Sequence, residues 1–241
     1  MQSSRSRLDR FLRANANISR RHVREILARG RVTIDGTVAR DINQVIDVFS
    51  HVTLDGETLQ KNQRRNVILN KPRGVVSATR DHKNKTVIDL LDFDYKEQLH
   101  IVGRLDFNST GLLLLSNDGA WSRELTSPEG KVAKRYTVGL ENPIDDAYID
   151  AYIDAFRNGM YFKFEDITTL PAGLKILDPH TAEVTLVEGR YHQIKRMFGR
   201  FDNKVVTLHR DSIGNLSLDK GLIQGESREL TADEVAGISE S

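Results

Sequence analysis

The chain has 241 residues, of which 39% are hydrophobic and 29% are charged, and its net charge is +1. This length permits one large domain or two smaller ones, and the composition is that of an ordinary soluble globular protein. The absence of cysteine excludes disulfides and thiolate-ligated zinc, the histidines show no metal-ligand spacing, and no apolar run approaches the roughly 18 residues of a membrane helix.

The charge is distributed unevenly along the chain. Residues 1–31 contain nine arginines and two acids, a local charge of +7, whereas residues 218–241 contain six acids and two cations, a local charge of −4. Arginine offers a planar fork to phosphate and can stack on bases, so a basic segment without lysine favours a polyanionic partner. The alternative is a solvated basic surface that binds nothing.

Two helices and a small sheet are predicted for this basic segment. Leu8–Leu12 has apolar residues at helical spacing, and Ser19 is a good N-cap for a second helix that ends near Gly30. The N-terminal part of that second helix holds three arginines that we expect to bind the polyanion, Arg20, Arg21 and Arg24.

A hairpin and a polar linker complete this part of the chain. Asp35-Gly36 between two β-branched runs is a strong signal for a tight hairpin, and further short strands follow near Val45 and Val52. Residues 61–66 are polar and lack apolar anchors. We therefore predict one domain over residues 1–60, a linker over 61–66 and a second domain over 67–241.

Strands dominate the prediction for the larger domain. A continuous apolar run, Leu112–Leu115, indicates a strand that is buried on both faces. Asn142 is predicted to cap a helix that ends at Gly159. The other predicted elements are strands at 67–69, 134–140, 182–187, 205–208 and 216–222, with helices over 120–125 and 194–201 and an acidic tail that is helical at best. The prediction is an α+β fold with a mixed or antiparallel sheet and flanking helices.

Two opposite charges, Arg104 and Asp106, lie just before the buried leucine strand, in a segment rich in turn-forming residues. A carboxylate held on a loop against the end of a core strand is suited to nucleophilic or general-base chemistry at a sugar carbon. An ordinary surface ion pair is the alternative that this segment leaves open.

Three motifs resemble those of the pseudouridine synthases, and they occur in that family's order. The motifs are Gly103-Arg-Leu-Asp106 followed by Ser109-Thr-Gly111, then Lys134-Arg-Tyr136, and finally Glu188-Gly-Arg-Tyr-His-Gln-Ile-Lys-Arg-Met-Phe198. The N-terminal segment resembles an S4 RNA-binding domain. Within the third motif, Tyr191-His192-Gln193 stands where relatives that modify large-subunit ribosomal RNA tend to carry Asn-Arg-Gln, which favours the small-subunit branch.

The resemblance implies an isomerase that converts a uridine of small-subunit (16S) ribosomal RNA to pseudouridine without a cofactor or metal. Asp106 is the position of the family's catalytic aspartate. It would either attack the anomeric carbon or remove the 2′ proton, and the sequence does not choose between these routes. Arg104 would fill the space left by the extruded base, and Tyr136 would stack on that base. Lys195, or failing that Arg190, would pair with Asp106, and Arg190 and Ile194 would contact the substrate.

Other functions stay open at this point. The same family includes large-subunit rRNA enzymes, and an S4 domain alone would serve a non-catalytic RNA-binding or ribosome-assembly protein. A glycosidic hydrolase would need a second carboxylate, for which Asp118 or Glu188 is available. The expected partner is ribosomal RNA or a small-subunit assembly intermediate, with no obligate protein partner. We expect a cytoplasmic protein with no membrane attachment.

Overall fold

The structure is a computed structural model that describes residues 5–238, apart from the Pro128 side chain. The chain divides into two compact units, the first ending at Arg64 and the second beginning at Arg65. The division falls inside the polar stretch that was predicted as a linker.

The first unit combines two helices with short strands. Its elements are β1 (Arg5–Arg7), α1 (Leu8–Ala16), α2 (Arg20–Ala28), β2 (Val32–Ile34), β3 (Thr37–Val38), β4 (Val45–Asp47), β5 (Val52–Leu54) and β6 (Glu57–Gln60). Within the described residues, β1 pairs with β4, and the other strands form a sheet in the order β3-β2-β5-β6. Both helices bury one apolar face against these strands, and the opposite faces are polar and exposed.

The helix cap and the hairpin turn of the first unit lie where the sequence predicts them. The hydroxyl of Ser19 accepts a hydrogen bond from the backbone N–H of His22 at 3.3 Å and so caps α2. Asp35 and Gly36 both adopt positive φ, 49° and 81°, as a tight hairpin between β2 and β3 requires. The last strand, β6, is absent from the sequence prediction, because three of its four residues are polar and it carries little apolar signal.

The second unit is built on a large sheet. Its strands are β7 (Asn66–Lys71), β8 (His100–Val102), β9 (Thr110–Ser116), β10 (Lys134–Leu140), β11 (Tyr161–Phe162), β12 (Ile167–Thr168), β13 (Gly173–Asp178), β14 (Thr181–Leu186), β15 (Val205–Ile213), β16 (Leu216–Ser217) and β17 (Ser227–Glu229). Its helices are α3 (Gly119–Thr126), α4 (Ile149–Asn158), α5 (Gln193–Gly199) and α6 (Ala232–Gly237), with single 3₁₀ turns at Ile88–Leu90, Lys96–Gln98, Pro128–Gly130 and Asp146–Tyr148.

The sheet of the second unit is mixed. Within residues 65–238 its path is β13-β14-β10-β15-β9-β7-β17, with β8 paired to β9 and β16 paired to β15, and only β9 and β15 run parallel. The leucine strand β9 is covered on both sides: Leu113 and Leu115 join one apolar cluster, and Leu112 and Leu114 join the other. This confirms the prediction of a strand buried on both faces.

Two sequence predictions about this unit are wrong. Asn142 does not cap α4, because its backbone is held by the Asn203 side chain, which accepts from the Asn142 N–H at 3.1 Å and donates to its carbonyl at 2.9 Å. The side chain of Asp145 accepts from the N–H of Ala147 instead, and a 3₁₀ turn leads into α4. The acidic tail was predicted to be helical at best, but it also contains a strand, because β17 pairs with β7 at the edge of the sheet.

One row of residues across the sheet brings distant motifs together. Tyr136 of β10 lies opposite Arg210 of β15, Arg210 lies opposite Gly111 of β9, and Gly111 lies opposite Lys71 of β7. Gly111 has a φ of +103°, and a Cβ at this position would lie 2.4 Å from the carbonyl oxygen of Arg210. Only glycine permits this approach of β15 to β9.

We predict that Gly111→Ala lowers the free energy of unfolding by more than about 2 kcal/mol, because the new methyl group forces the parallel strands apart and the left-handed backbone disfavours alanine. Gly221→Ala is the matched control, since Gly221 has no positive φ and an added Cβ would meet nothing within 4 Å. Urea unfolding of both variants measures the difference. Equal stability of the two variants would contradict the proposed role of the close approach.

Candidate active site

A pocket in the second unit collects residues from all three sequence motifs. It lies where the loop before β9, the strand β10 and the start of α5 meet. The lining residues are Arg104, Leu105, Asp106, Ser109, Tyr136, Leu186, Gly189, Arg190, His192, Gln193, Ile194, Lys195 and Leu208. Asp106 is the one carboxylate in this lining among the described residues.

Asp106 is held by two basic side chains from the start of α5. The Nζ atom of Lys195 lies 2.7 Å from Oδ2, and Nε2 of His192 lies 3.4 Å from Oδ1. The Asp106 and Lys195 side chains keep about a third of their surface exposed, 32% and 31%, so the carboxylate is oriented and still accessible. A charge-assisted hydrogen bond of this length orients an anion without covering its reactive face.

The buried side chain of Lys71, at the end of β7, stabilises the loop that carries Asp106. Lys71 is fully buried, and its Nζ atom donates to the carbonyls of Pro72 at 3.0 Å, Ser109 at 2.9 Å and Phe107 at 3.4 Å. Burial lowers the pKa of Lys71 to about 8, and the nearby charge of Asp106 opposes that shift. The amine therefore fixes the backbone on the C-terminal side of Asp106.

Tyr136 lies in the wall of the pocket with a buried arginine nearby. Its side chain is 7% exposed, and the guanidinium carbon of Arg210 lies 6.0 Å from its ring centroid. Arg210 is itself buried and donates from Nε to the carbonyl of Leu112 at 2.7 Å. The aromatic ring is thus both part of the core and open to the pocket.

Arg190 does not pair with Asp106. Its Nε atom donates to Glu188 at 2.8 Å, and Glu188 also accepts from the side chain of Gln193 and from the backbone N–H of Leu170, each at 2.8 Å. Glu188 is 4% exposed and has all these partners, so it orients Arg190 at the pocket wall. Of the two cations expected beside Asp106, the structure places Lys195 there.

The remaining predicted site residues lie either in the pocket lining or on the surface of the first unit. Arg104 is exposed and lines the pocket, and Ile194 lines it while 4% exposed. In the first unit, Arg20, Arg21 and Arg24 are exposed on α2. By contrast, the neighbouring cations Arg7, Arg29 and Arg31 form ion pairs with acids of the same unit.

The second-carboxylate candidates have other tasks. Asp118 caps α3 by accepting from the N–H groups of Ala120 and Trp121, at 2.9 and 3.3 Å. Glu188 is committed to its buried network. Between residues 5 and 238 there is no cluster of three metal-binding acids or histidines, and no helix there has the length and apolarity of a membrane span.

Sequence reasoning missed three residues of this region. Lys71 receives no predicted role, Arg210 lies beyond the predicted end of its strand, and His192 is interpreted only as a mark of subfamily. The signal for Lys71 is its place at the end of an apolar strand next to Pro72, where a long cation is normally exposed. No local signal reveals Arg210, because its burial depends on β9.

The pocket and the fold have counterparts among known proteins. A model of the RNA pseudouridylate synthase family matches residues 65–199, and a model of the S4 domain matches residues 6–52. The chain is 49% identical to a ribosomal small subunit pseudouridine synthase A of Pseudomonas aeruginosa, over 96% of this chain and 100% of that one. It is 40% identical to the protein of the same description from Yersinia pestis, over 96% of this chain and 97% of the other.

A solved structure shows the same architecture. A crystal structure of a pseudouridylate synthase superposes with a TM-score of 0.69 and 36% identity, covering 96% of this chain and 99% of that one. The chain belongs to the RNA pseudouridylate synthase family and carries an N-terminal S4 domain, so the resemblance of the three motifs and of the fold is confirmed.

We predict that Lys71→Met makes the protein less stable by an amount that grows as the pH rises from about 8. The folded pKa of Lys71, about 8, lies below its ordinary value of 10.5. The unfolded chain therefore binds more protons in this interval, and the wild type gains stability with rising pH while the methionine variant lacks this gain. The contribution of Lys134, whose pKa burial also lowers to about 8, is common to both proteins and cancels.

The measurement is the difference in the free energy of unfolding between wild type and variant, from about pH 7.5 to pH 10. Lys175→Met, at an exposed position of β13, is the control and should change the free energy of unfolding by less than about 0.5 kcal/mol. A flat difference for Lys71→Met would show that Lys71 titrates as an ordinary surface lysine.

Proposed function

We propose that the chain isomerises a uridine of small-subunit ribosomal RNA to pseudouridine, with Asp106 as the catalytic carboxylate. The observation that carries this proposal is the 2.7 Å contact of Lys195 with Asp106 in a pocket that is walled by Tyr136. The relatives that are 49% and 40% identical along nearly their whole length are described as enzymes of the small ribosomal subunit, and this supports the choice of RNA.

The reaction rearranges bonds without any net gain or loss of atoms. The C1′–N1 bond breaks, the uracil turns, and C5 bonds to C1′ while C5 loses a proton and N1 gains one. Asp106 serves either by attacking C1′ or by removing the 2′ proton and later returning it. Lys195 holds the carboxylate in place for both routes.

The extruded nucleotide has a place in this geometry. Tyr136 offers its ring to the uracil, and Arg210 of the neighbouring strand β15 lies beside that ring. Arg104 extends from the loop just before Asp106 and is exposed, as a side chain that fills the vacated stack must be. We assign substrate contact to Arg190 and Ile194, which also line the pocket.

A groove beside the pocket offers room for the strand on one side of the target nucleotide. It has a volume of about 380 Å³ and shares Ser109, Lys195 and Leu208 with the pocket. Arg73 and Lys204 line it as well, so its charge suits the phosphate backbone.

A hydrolase is the weaker alternative. An inverting or retaining glycosidase uses two carboxyl groups that flank the scissile bond. Asp106 is the one carboxylate in the described pocket lining, and both rival acids are bound elsewhere. A purely RNA-binding role does not explain the oriented carboxylate.

Because the proposed substrate is ribosomal RNA, we also propose that the protein acts in the cytoplasm and has no obligate protein partner.

We predict that Asp106→Asn abolishes pseudouridine formation and leaves RNA affinity unchanged or slightly higher. The amide keeps the size of the side chain but loses its charge and basicity, and removing an anion costs no phosphate contact. Chemical mapping of pseudouridine in small-subunit rRNA measures turnover, and filter binding of the same RNA measures affinity.

Asp92→Asn is the control for this experiment, because Asp92 is exposed and lies outside the pocket. It should keep wild-type turnover. Pseudouridine formed by pure Asp106→Asn protein would remove this carboxylate from the mechanism, and free uracil formed by the wild type would identify a hydrolase.

We also predict that replacing Arg20, Arg21 and Arg24 together by glutamine weakens rRNA binding and lowers the slope of log affinity against log salt by about 2, since each lost phosphate contact removes about 0.7 to 0.9 from that slope. The control replaces Arg7, Arg29 and Arg31, which already pair with acids and should change the slope less. An equal change in both triple variants would mean that the N-terminal part of α2 is not an RNA contact.

A further inference from the structure

Tyr191 is a large aromatic residue that is exposed to solvent beside the pocket. Its side chain is 74% exposed, although its two neighbours in sequence, Arg190 and His192, both line the pocket. The other aromatic residue of the site, Tyr136, is buried. The proposed role of Tyr136 therefore leaves Tyr191 without a function.

The ring of Tyr191 is stacked and held in place. It lies on the imidazole of His192 with the ring centroids 3.9 Å apart and the planes inclined by 20°. One face of the tyrosine is covered by the histidine, and its exposure leaves the opposite face to solvent. An oriented ring binds a flat partner with less loss of conformational freedom than a mobile one.

The histidine ties this stack to the catalytic carboxylate. Nε2 of His192 lies 3.4 Å from Oδ1 of Asp106. His192 has a φ of +50°, a left-handed backbone that is uncommon for a non-glycine residue, and it stands immediately before α5. The contact and the turn place Tyr191 at the rim of the pocket.

Extrusion of a uridine leaves the neighbouring bases without a stacking partner at this rim. When a nucleotide leaves the stack, each neighbouring base loses the partner on one of its faces. An aromatic side chain replaces such a lost face at little entropic cost and for any base, since every base has a π-face. Tyr191 offers such a face next to the position where the proposed target nucleotide enters.

We propose that the exposed face of Tyr191 is a stacking subsite for the base next to the target uridine. This inference rests on the proposed function, because it names the part of the RNA that the rim of the same pocket binds. Tyr136 receives the extruded base, Tyr191 receives its neighbour, and His192 supports the Tyr191 ring from behind.

The test measures equilibrium binding of the full chain in the Asp106→Asn background, so that the RNA is not converted during the measurement. The probe is an RNA oligonucleotide that contains the target uridine in unconverted form, at the position that chemical mapping identifies. Tyr191→Ala should weaken binding about tenfold, whereas Tyr191→Phe, which keeps the aromatic face, should stay within about twofold of the parent. Tyr148→Ala is the control, since Tyr148 is 63% exposed and does not line the pocket.

Two altered probes locate the contact. One lacks the base on the 5′ side of the target uridine, and the other lacks the base on its 3′ side. If Tyr191 stacks on one of these bases, the tenfold effect of Tyr191→Ala disappears with that probe alone and persists with the other. This pattern is the result that we expect.

Other results overturn the inference. Unchanged affinity in Tyr191→Ala would do so, and so would a loss that persists with both altered probes. A variant that binds normally but turns over slowly, when tested with Asp106 intact, would show that Tyr191 acts on the carboxylate through His192 and not on a base. If the wild type converts no uridine, the proposed function fails, and binding of small-subunit rRNA fragments by Tyr191→Ala still decides the stacking role.

Discussion

The close approach of β15 to β9 at Gly111 is the constraint on which the site depends. Because no side chain separates the strands there, Arg210 and Gly111 share one row of the sheet, and Tyr136 and Lys71 lie at the two ends of that row. The loop with Asp106 enters β9 just before Gly111. The pairing therefore sets the position of the carboxylate relative to the tyrosine ring, although these residues lie 30 positions apart in the chain.

Buried cations around an accessible anion define the electrostatics of the site. Lys71 and Arg210 are both buried, and backbone carbonyls accept hydrogen bonds from each of them. Unpaired buried charges are costly, and these carbonyls offset part of that cost. The carbonyls belong largely to the loop and to β9. The loop conformation therefore depends on the same hydrogen bonds that stabilise the buried cations. Asp106 carries its negative charge among them without being covered.

How much of this was predictable depends on whether the signal is local. Ser19, the Asp35-Gly36 turn and the leucine strand were all predicted correctly, because each follows from neighbours in sequence. The pairing of Lys195 with Asp106 came from resemblance, and the structure shows the contact. No periodicity in the sequence could have shown it.

The failures share a different cause. Asp145 replaces Asn142 as the cap because the side chain of Asn203, far along the chain, binds both backbone groups of Asn142. The strand β17 forms by backbone pairing with β7, which leaves little trace in an acidic sequence. Arg190 is drawn away from Asp106 by Glu188, whose buried network was visible only in three dimensions.

The buried network of Glu188 also bears on the kind of chemistry that the pocket can perform. A hydrolase must protonate its leaving group and admit a water molecule, whereas an isomerase must retain the departing base until it has turned. In this pocket the second acid is tied to Arg190, Gln193 and Leu170 and cannot serve as a proton donor without breaking those bonds. The lining of the pocket instead includes one aromatic wall, Tyr136, and one aliphatic wall, Ile194. Such walls hold a flat base while leaving it free to rotate, and that is the requirement that separates isomerisation from hydrolysis.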